Sequence, residues 1–495
     1  MVASLVACGT SENPPDQTDN TAETPTTENE TVMKIKAEPY DGVFKVGFGR
    51  ADVTPKFPIT LQNGNVAKKS QDPLYTTCVA VNDGETTALI FTIDAVNISD
   101  EICASIRGRV NLDTKIAKEN IIISATHNHS TPTPGVKKDT NSILWVTDLG
   151  KKSSEAAKEA IADLTDADIY LGTSGTKGMA FVRRYVHEDG SHSGIWSSNK
   201  TKSPIVSHET EADDLLQVMR FVRDGKKDIV IANWQGHLAD AIGTHTSVTT
   251  GDLAYYMRYV TESEDEDVLF AYYSGASANV NLTAKIPSLK KYRNYQDVGM
   301  ALGKAIVSTF DDLTRVEAGK IGIENREYTA KVLKDTPETI AKAKEAEAAA
   351  QKAANDAGVN IDSEKGKDIR NDVLATYGFS TYQETTKLIS RNENLGDTVK
   401  LDIRAISFGD VAFVAAPYEM FDTNGMEIKA GSPYTMTFVL SCAGGSWGYI
   451  PAAHAVPNGG YEVYSTRFVY GTAESLVSEY LDMLRELAML NVKIK

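Results

Sequence analysis

The sequence predicts an α/β chain of the α+β layered kind, with mixed β-sheets flanked by helices and a helical insertion near 335–376. Three observations carry this. Short apolar runs bounded by turn residues alternate along the chain with segments whose apolar residues recur every three or four positions. Some runs are continuous rather than alternating, as in Ile121-Ile122-Ile123, the pattern of a strand covered on both faces. The stretch after Asp335 is instead dense in Ala, Lys and Glu, a composition suited to a solvent-exposed helix.

Phe44-Lys45-Val46-Gly47-Phe48 opens the folded region and alternates like a strand. Residues 74–81 and 87–94 form two more strands joined by the turn Asn82-Asp83-Gly84-Glu85. Helical spacing covers about 100–118 and 153–163. Strand-like runs recur at 168–171, 216–222, 228–234 and 269–273, with helices over 253–261 and 297–311. Asp335-Thr336-Pro337-Glu338 supplies a cap and a first-turn proline, and Gly358 closes the helix that follows. The whole insertion is set at 335–395. Strands return over 400–441, and 474–490 reads as a docked terminal helix. Segments 185–210 and 452–463 are expected as loops around a site.

The chain has 495 residues, 41% hydrophobic and 24% charged, enough for a sizeable core. A formal net charge of −16 argues against nucleic acid as a partner and against direct adsorption to anionic lipid. Residues 9–31 hold six acids, no Lys or Arg and almost no large apolar side chain. Such a segment cannot offset its ordering entropy, so 9–40 is expected to be an acidic linker before a domain at 41–495. Ahead of it, Leu5-Val6-Ala7-Cys8-Gly9 resembles a bacterial lipobox, with 1–8 the remnant of a signal segment. That resemblance implies lipidation at Cys8, an extracytoplasmic, cell-surface location, and membrane attachment through the anchor alone. Cys78, Cys103 and Cys442 are too few and too scattered for a disulfide framework or a thiolate metal site.

Chemistry concentrates at three strand ends. In Ala125-Thr126-His127-Asn128-His129-Ser130, two histidines at spacing two share one side of an extended segment that follows an apolar strand. Imidazole is the commonest metal ligand and the usual general base near neutral pH; the plainer alternative is two polar loop residues. His237 also follows an apolar strand, behind Gly236, and by itself could equally be a core histidine. Glu419 follows Val411-Ala412-Phe413-Val414-Ala415-Ala416-Pro417-Tyr418, where a carboxylate is poorly solvated unless paired or bound to metal. Three nitrogen or oxygen ligands plus water are the usual catalytic zinc pattern.

These segments carry a resemblance to the catalytic domain of the neutral ceramidase family. Gly47-Phe48-Gly49-Arg50-Ala51-Asp52-Val53-Thr54-Pro55 is similar to its opening GxGRADITP, and Asp72-Pro73-Leu74-Tyr75 to DPLYA. Residues 125–130, then Pro132 and Pro134-Gly135, resemble its zinc loop; Asn233 through His237 resembles NFAxHP. Pro417-Tyr418-Glu419-Met420-Phe421 resembles PGEPF, and Gly448-Tyr449-Ile450-Pro451 resembles GYxP. The matches run in family order from about 44 to 480. The resemblance implies Zn²⁺ held by His127, His237, Glu419 and Tyr449. It places His129 beside the reacting water and Arg183 at the site.

There are departures. The family's serine falls at Gly275, or at Ser274 with a one-residue slip, and Phe468 stands where the family has a tyrosine. The chain also stops where ceramidases continue into an immunoglobulin-like domain. These leave the zinc site intact and set ceramide itself aside as the expected substrate.

The function implied is cleavage of an N-acyl amide in a small or lipid-like substrate by zinc-activated water. His129 would move the proton, Arg183 or Tyr461 would stabilise the oxyanion, and Ser274, Gly275 and Tyr461 would contact substrate. Two rivals stay open. One is a metal-dependent esterase or phosphoesterase that recruits Asp94, Asp240 or Asp252 around a second metal. The other is a non-catalytic surface-binding lipoprotein.

Overall fold

The computed structural model describes residues 34–37, 39–61, 65–132, 140–194, 203–238, 248–282, 292 and 294–490. Two sheets carry the fold. The larger runs, in spatial order, Val268–Ser274, Asp228–Trp234, Leu215–Arg223, Thr165–Gly175, Lys45–Asp52, Tyr75–Asn82, Thr87–Ile93 and Ile121–Ala125. Thr314–Val316 adds a ninth strand beside Thr165–Gly175. The smaller sheet runs Ile321–Lys331, Thr398–Phe408, Val411–Ala415 and Met436–Leu440. Pairing in both is antiparallel except at three places. Thr87–Ile93 is parallel to Ile121–Ala125, Asp228–Trp234 to Val268–Ser274, and Val411–Ala415 to Met436–Leu440.

Period-two alternation sorts the strand residues into layers. Val79, Val81, Ile90, Ile122, Ile229 and Ile231 of the large sheet form one core with Ile406, Phe408, Val411, Phe413 and Phe438 of the small one. Their neighbours face outward. Ala80, Leu89, Phe91 and Ile123 pack under α1 (Asp100–Thr114) and α2 (Thr140–Ala162). Val230, Ala232 and Trp234 pack under α3 (Asp252–Glu264) and α4 (Tyr295–Val307). The order is thus helices, sheet, sheet, helices. The inner strands are covered on both faces, which is why they read as unbroken apolar runs. In the opening strand a Cβ at Gly47 or Gly49 would come within 2.0 Å of the carbonyl oxygen of Ala160 or Ala156, so only glycine lets α2 lie so close.

The insertion is three helices: α5 (Pro337–Asp356), α6 (Glu364–Thr376) and α7 (Tyr382–Asn394). Thr336, Ser363 and Thr381 cap them, each accepting a backbone N–H three residues on. A separate small core of Ala343, Ala346, Leu374, Phe379 and Leu388 holds them together. Beyond them come α8 (Asp422–Gly431), the short α9 (Tyr461–Tyr464) and α10 (Thr472–Ala488). Leu476, Val477 and Leu484 of α10 close the outer face of the small sheet on Ala412, Val414 and Val439.

Some boundaries differ from expectation. α1 ends at Thr114 rather than near 118, because Lys115 adopts a left-handed φ of 66° and its N–H returns to Asn111. α2 begins at Thr140, well before 153, with Trp145 and Leu149 buried one turn apart. The expected loop 185–210 contains a small sheet, Arg184–His187 between His192–Gly194 and Ile205–His208. Cys8, the lipobox and the acidic stretch 9–31 lie outside the described residues. Among the described residues no helix is long and apolar enough to cross a membrane.

Candidate metal centre

The carboxyl ends of the parallel strands converge, the place where open α/β sheets bind ligands. The segment after Met436–Leu440 sews the two sheets together there. Ser441 N–H donates to Ser274 O at 3.2 Å, Ala125 N–H to Cys442 O at 3.2 Å, and Gly444 N–H to Ile123 O at 2.8 Å.

Into this seam Ile121–Ala125 delivers His127 and His129. The loop between them is pinned: Thr126 N–H donates to Ile93 O at 2.9 Å, and Asn128 N–H to Ala95 O at 3.1 Å. The buried Asn128 amide donates to Thr250 O at 2.6 Å and accepts Ser130 N–H at 2.8 Å. His127 itself sits at φ 61°, a left-handed conformation that the surrounding bonds must hold in place. Its Nδ1 bonds Val96 O at 2.7 Å, and His237 Nδ1 bonds Ser277 O at 3.0 Å. Each Nδ1 is then the protonated nitrogen, and each Nε2 carries a lone pair.

Those two Nε2 atoms face each other at 3.0 Å, and His129 Nε2 lies 3.3 Å from that of His127. Glu419 Oε2 stands 3.4 Å from His127 Nε2 and has no hydrogen-bond partner although buried. Lone pairs aimed at one another repel unless a cation lies between them. Metal–ligand bonds of about 2.0–2.1 Å would place the donors of a tetrahedron about 3.3 Å apart. The donor chemistry and the spacing therefore fit a bound metal ion. Among the described residues, His127, His129 and His237 form the one such histidine and acid cluster.

Glu419 and Tyr449 lie far apart in sequence but are register partners in a two-residue parallel pair, Glu419–Met420 with Tyr449–Ile450. The Tyr449 hydroxyl accepts from Arg183 Nη2 at 3.1 Å. Burial would raise the Glu419 pKa, but His127, Tyr449 and Arg183 together hold it below the ordinary value. Arg183 is fully buried. Its Nε donates to Glu462 Oε1 at 2.7 Å and its Nη1 to Asn281 Oδ1 at 3.2 Å. Its guanidinium lies 5.7 Å from the Tyr449 ring centroid and 5.8 Å from that of Tyr461. Burial presses the His129 pKa down to about 3, and burial, then Arg183, push that of His237 well down.

The structure thus brings together His127, His129, His237, Glu419, Tyr449, Arg183 and Tyr461. Ser274 and Gly275, expected to contact substrate, lie at the end of the strand Val268–Ser274 and just beyond it. Ser274 is fully buried in its strand, and the space beside Gly275 is filled by the backbone of Trp234, 3.2 Å from where a Cβ would stand. Phe468 is core, packed against Trp447. Asp94 and Asp252 are buried but outside the histidine cluster; Asp240 lies outside the described residues. His187, His192 and His208 belong to the small sheet, away from the cluster. Sequence reasoning missed Glu462 and Asn281, which fix Arg183, and the carbonyls of Val96 and Ser277, which orient the rings.

No family model and no curated protein matches the chain. Solved structures do. The crystal structure of neutral ceramidase from Pseudomonas aeruginosa superposes with a TM-score of 0.65 at 14% identity, over 92% of this chain and 76% of that one. A ceramidase complexed with C2 gives a TM-score of 0.63 at 14% identity, over 91% and 76%. The chain has the fold of neutral ceramidase.

Proposed function

We propose that this chain is a zinc-dependent hydrolase that cleaves an N-acyl amide with water. One observation carries the reading: around His127 Nε2 stand the Nε2 atoms of His237 and His129, at 3.0 and 3.3 Å, and a partnerless Glu419 carboxylate oxygen at 3.4 Å, at the strand ends of a ceramidase fold. His127, His237, Glu419 and Tyr449 are the residues that would hold the metal. When bound, Zn²⁺ supplies Lewis acidity, polarising a carbonyl and letting water ionise near pH 7.

The chain's own groups do the rest. His127 and His237 are buried and locked by their Nδ1 bonds, whereas His129 is only half-buried. His129 is therefore the proton carrier. With its pKa pressed down it is neutral near pH 7, and one ring nitrogen is free to accept the proton of the attacking water. The depressed basicity that makes it a modest acceptor makes its protonated form a ready donor to the leaving nitrogen. Arg183, held by Glu462 and Asn281, and the Tyr461 hydroxyl face the place where negative charge develops on the carbonyl oxygen. Cell-surface anchoring through Cys8 belongs to the same reading, with a lipid-like substrate reached from the membrane.

The test is metal content of the purified full chain beside His127→Ala and Glu419→Ala, followed by hydrolysis of simple N-acyl amides. About one zinc per chain, lost in both variants together with turnover, is the expected result. A wild type that binds no metal, or variants that keep zinc and turnover, would overturn it.

A further inference from the structure

The inserted helices do more than decorate the surface. Helix α7 packs on α9, the short helix that carries Tyr461. Arg391 of α7 donates to both carboxylate oxygens of Asp335, at 2.8 and 2.7 Å, and to Thr466 O at 3.0 Å. That face of α7 is thereby fixed over the segment 466–468. Lys387 lies one helical turn before Arg391, on the same face. Arg467, next to the Thr466 carbonyl that Arg391 holds, reaches the carbonyl of Trp447, two residues before the metal-ligand candidate Tyr449, so this face of α7 looks toward the site, and the charges of Arg467 and Glu419 both act on Lys387. The site has two zones. His127, His237, Arg183 and Tyr449 are buried, whereas His129, Glu419, Tyr461, Arg467 and Lys387 keep partial exposure.

Lys387 makes no hydrogen bond or ion pair with a described residue; the charge of Glu419 acts on it, but that carboxylate faces His127 at 3.4 Å. Arg467 Nη1 donates to a neutral carbonyl, that of Trp447 at 2.7 Å. Burial, then Arg467, lower the Lys387 pKa to about 8. An ammonium so placed is costly to the fold unless an anion arrives to meet it.

We infer that Lys387, with Arg467 behind it, is a specificity determinant that receives an anionic group of the substrate, a carboxylate a few atoms from the scissile amide. The preferred substrate class is then the N-acyl amino acid, in which the carboxylate sits two atoms from the amide nitrogen. This rests on reading the histidine cluster as a hydrolytic centre.

The test compares two amides with one tail, N-octanoyl glycine and N-octanoyl ethanolamine, on the zinc-loaded full chain at pH 7. A charge-assisted contact predicts kcat/KM at least about tenfold higher for the glycine conjugate. Lys387→Met should bring the ratio to within about threefold of unity, and Lys387→Arg should keep it; Lys387→Gln serves if the Met variant does not fold. Equal rates in wild type, or a preference that survives Lys387→Met, overturn the inference while leaving the hydrolase reading intact. Calorimetric binding of the same pair covers a chain that turns over neither. A tenfold binding preference lost in Lys387→Met sustains the anion subsite and sinks the hydrolase reading. Binding of neither, or of both equally, overturns the subsite.

Discussion

Removing the charge of Glu462 should destabilise the protein severely without touching a metal-ligand candidate. Arg183 and Glu462 are each completely shielded from solvent, joined at 2.7 Å, and Arg184 reaches the second carboxylate oxygen at 3.4 Å. Arg184 has a second carboxylate in Glu209, whereas Arg183 also donates to the neutral Asn281 and Tyr449. In Glu462→Gln an amide oxygen can still accept from Arg183, so the hydrogen bond survives while the charge balance does not. Breaking a buried pair from one side costs about 3–5 kcal/mol, and the retained acceptor sets this case near ~3 kcal/mol. At about 1.4 kcal/mol per decade, that lowers the folded-to-unfolded ratio roughly a hundredfold. The assay is urea unfolding followed by tryptophan fluorescence, with the denaturant slope compared between variants. Arg183→Met with Glu462→Met completes a cycle, in which the double variant should be more stable than the sum of the singles by about 2 kcal/mol or more. A loss below ~1 kcal/mol in Glu462→Gln, or additive singles, refutes the picture of Arg183 as a buried cation held by that acid.

Three further outcomes are expected. His129→Ala should keep about one zinc per chain while losing roughly 10²–10⁴ in kcat, the usual range for a lost proton carrier; loss of the metal instead would make His129 a ligand. Asp94 is buried, and its pKa is raised to about 6 by that burial despite Arg258 and the Tyr75 N–H. Its folded value lies above its unfolded one, so it weakens the fold as pH rises from about 4 to 6, by about 3 kcal/mol in all. Asp94→Asn should therefore gain stability relative to wild type across that interval, and a difference that stays flat with pH would contradict the assignment. Gly49→Ala would drive a methyl to 2.0 Å from the Ala156 carbonyl, so at least ~1–3 kcal/mol should be lost in the same unfolding assay.

The parts of the fold legible in sequence are those where one physical cause acts alone. Ile121-Ile122-Ile123 reads as a strand because both of its faces are covered, and His127, His237 and Glu419 stand out as polar residues just beyond such runs. The first half of α2 is faint in sequence because Gly150, Lys151 and Lys152 interrupt the run between Leu149 and the helical stretch from Ser153, and only the spacing of Trp145 and Leu149 shows a face. Glu462 was invisible. In Tyr461-Glu462-Val463 it looks like any acid on a short helix, and only the tertiary approach of Arg183 gives it meaning. The Val96 and Ser277 carbonyls leave no mark at all, since backbone acceptors carry no residue signature. The meeting of Glu419 with Tyr449 depends on a two-residue strand pair, too short for any periodicity to announce.

The position of α5, α6 and α7 has a consequence for how this scaffold can change. They enter between Ile321–Lys331 and Thr398–Phe408, two strands in unbroken antiparallel register up to Lys331 and Thr398. To the sheet, the whole three-helix unit is the loop of one hairpin. The entropy of closing a loop grows only logarithmically with its length, each doubling adding about 0.6 kcal/mol. With its own core and caps, the unit can be lengthened, shortened or exchanged with little disturbance to the strands that carry the histidines and Glu419. What the reaction centre accepts can thus be rewritten in one contiguous stretch of sequence, while the strands that carry the histidines and Glu419 stay as they are and α9, against which α7 packs, is the point where the change is felt.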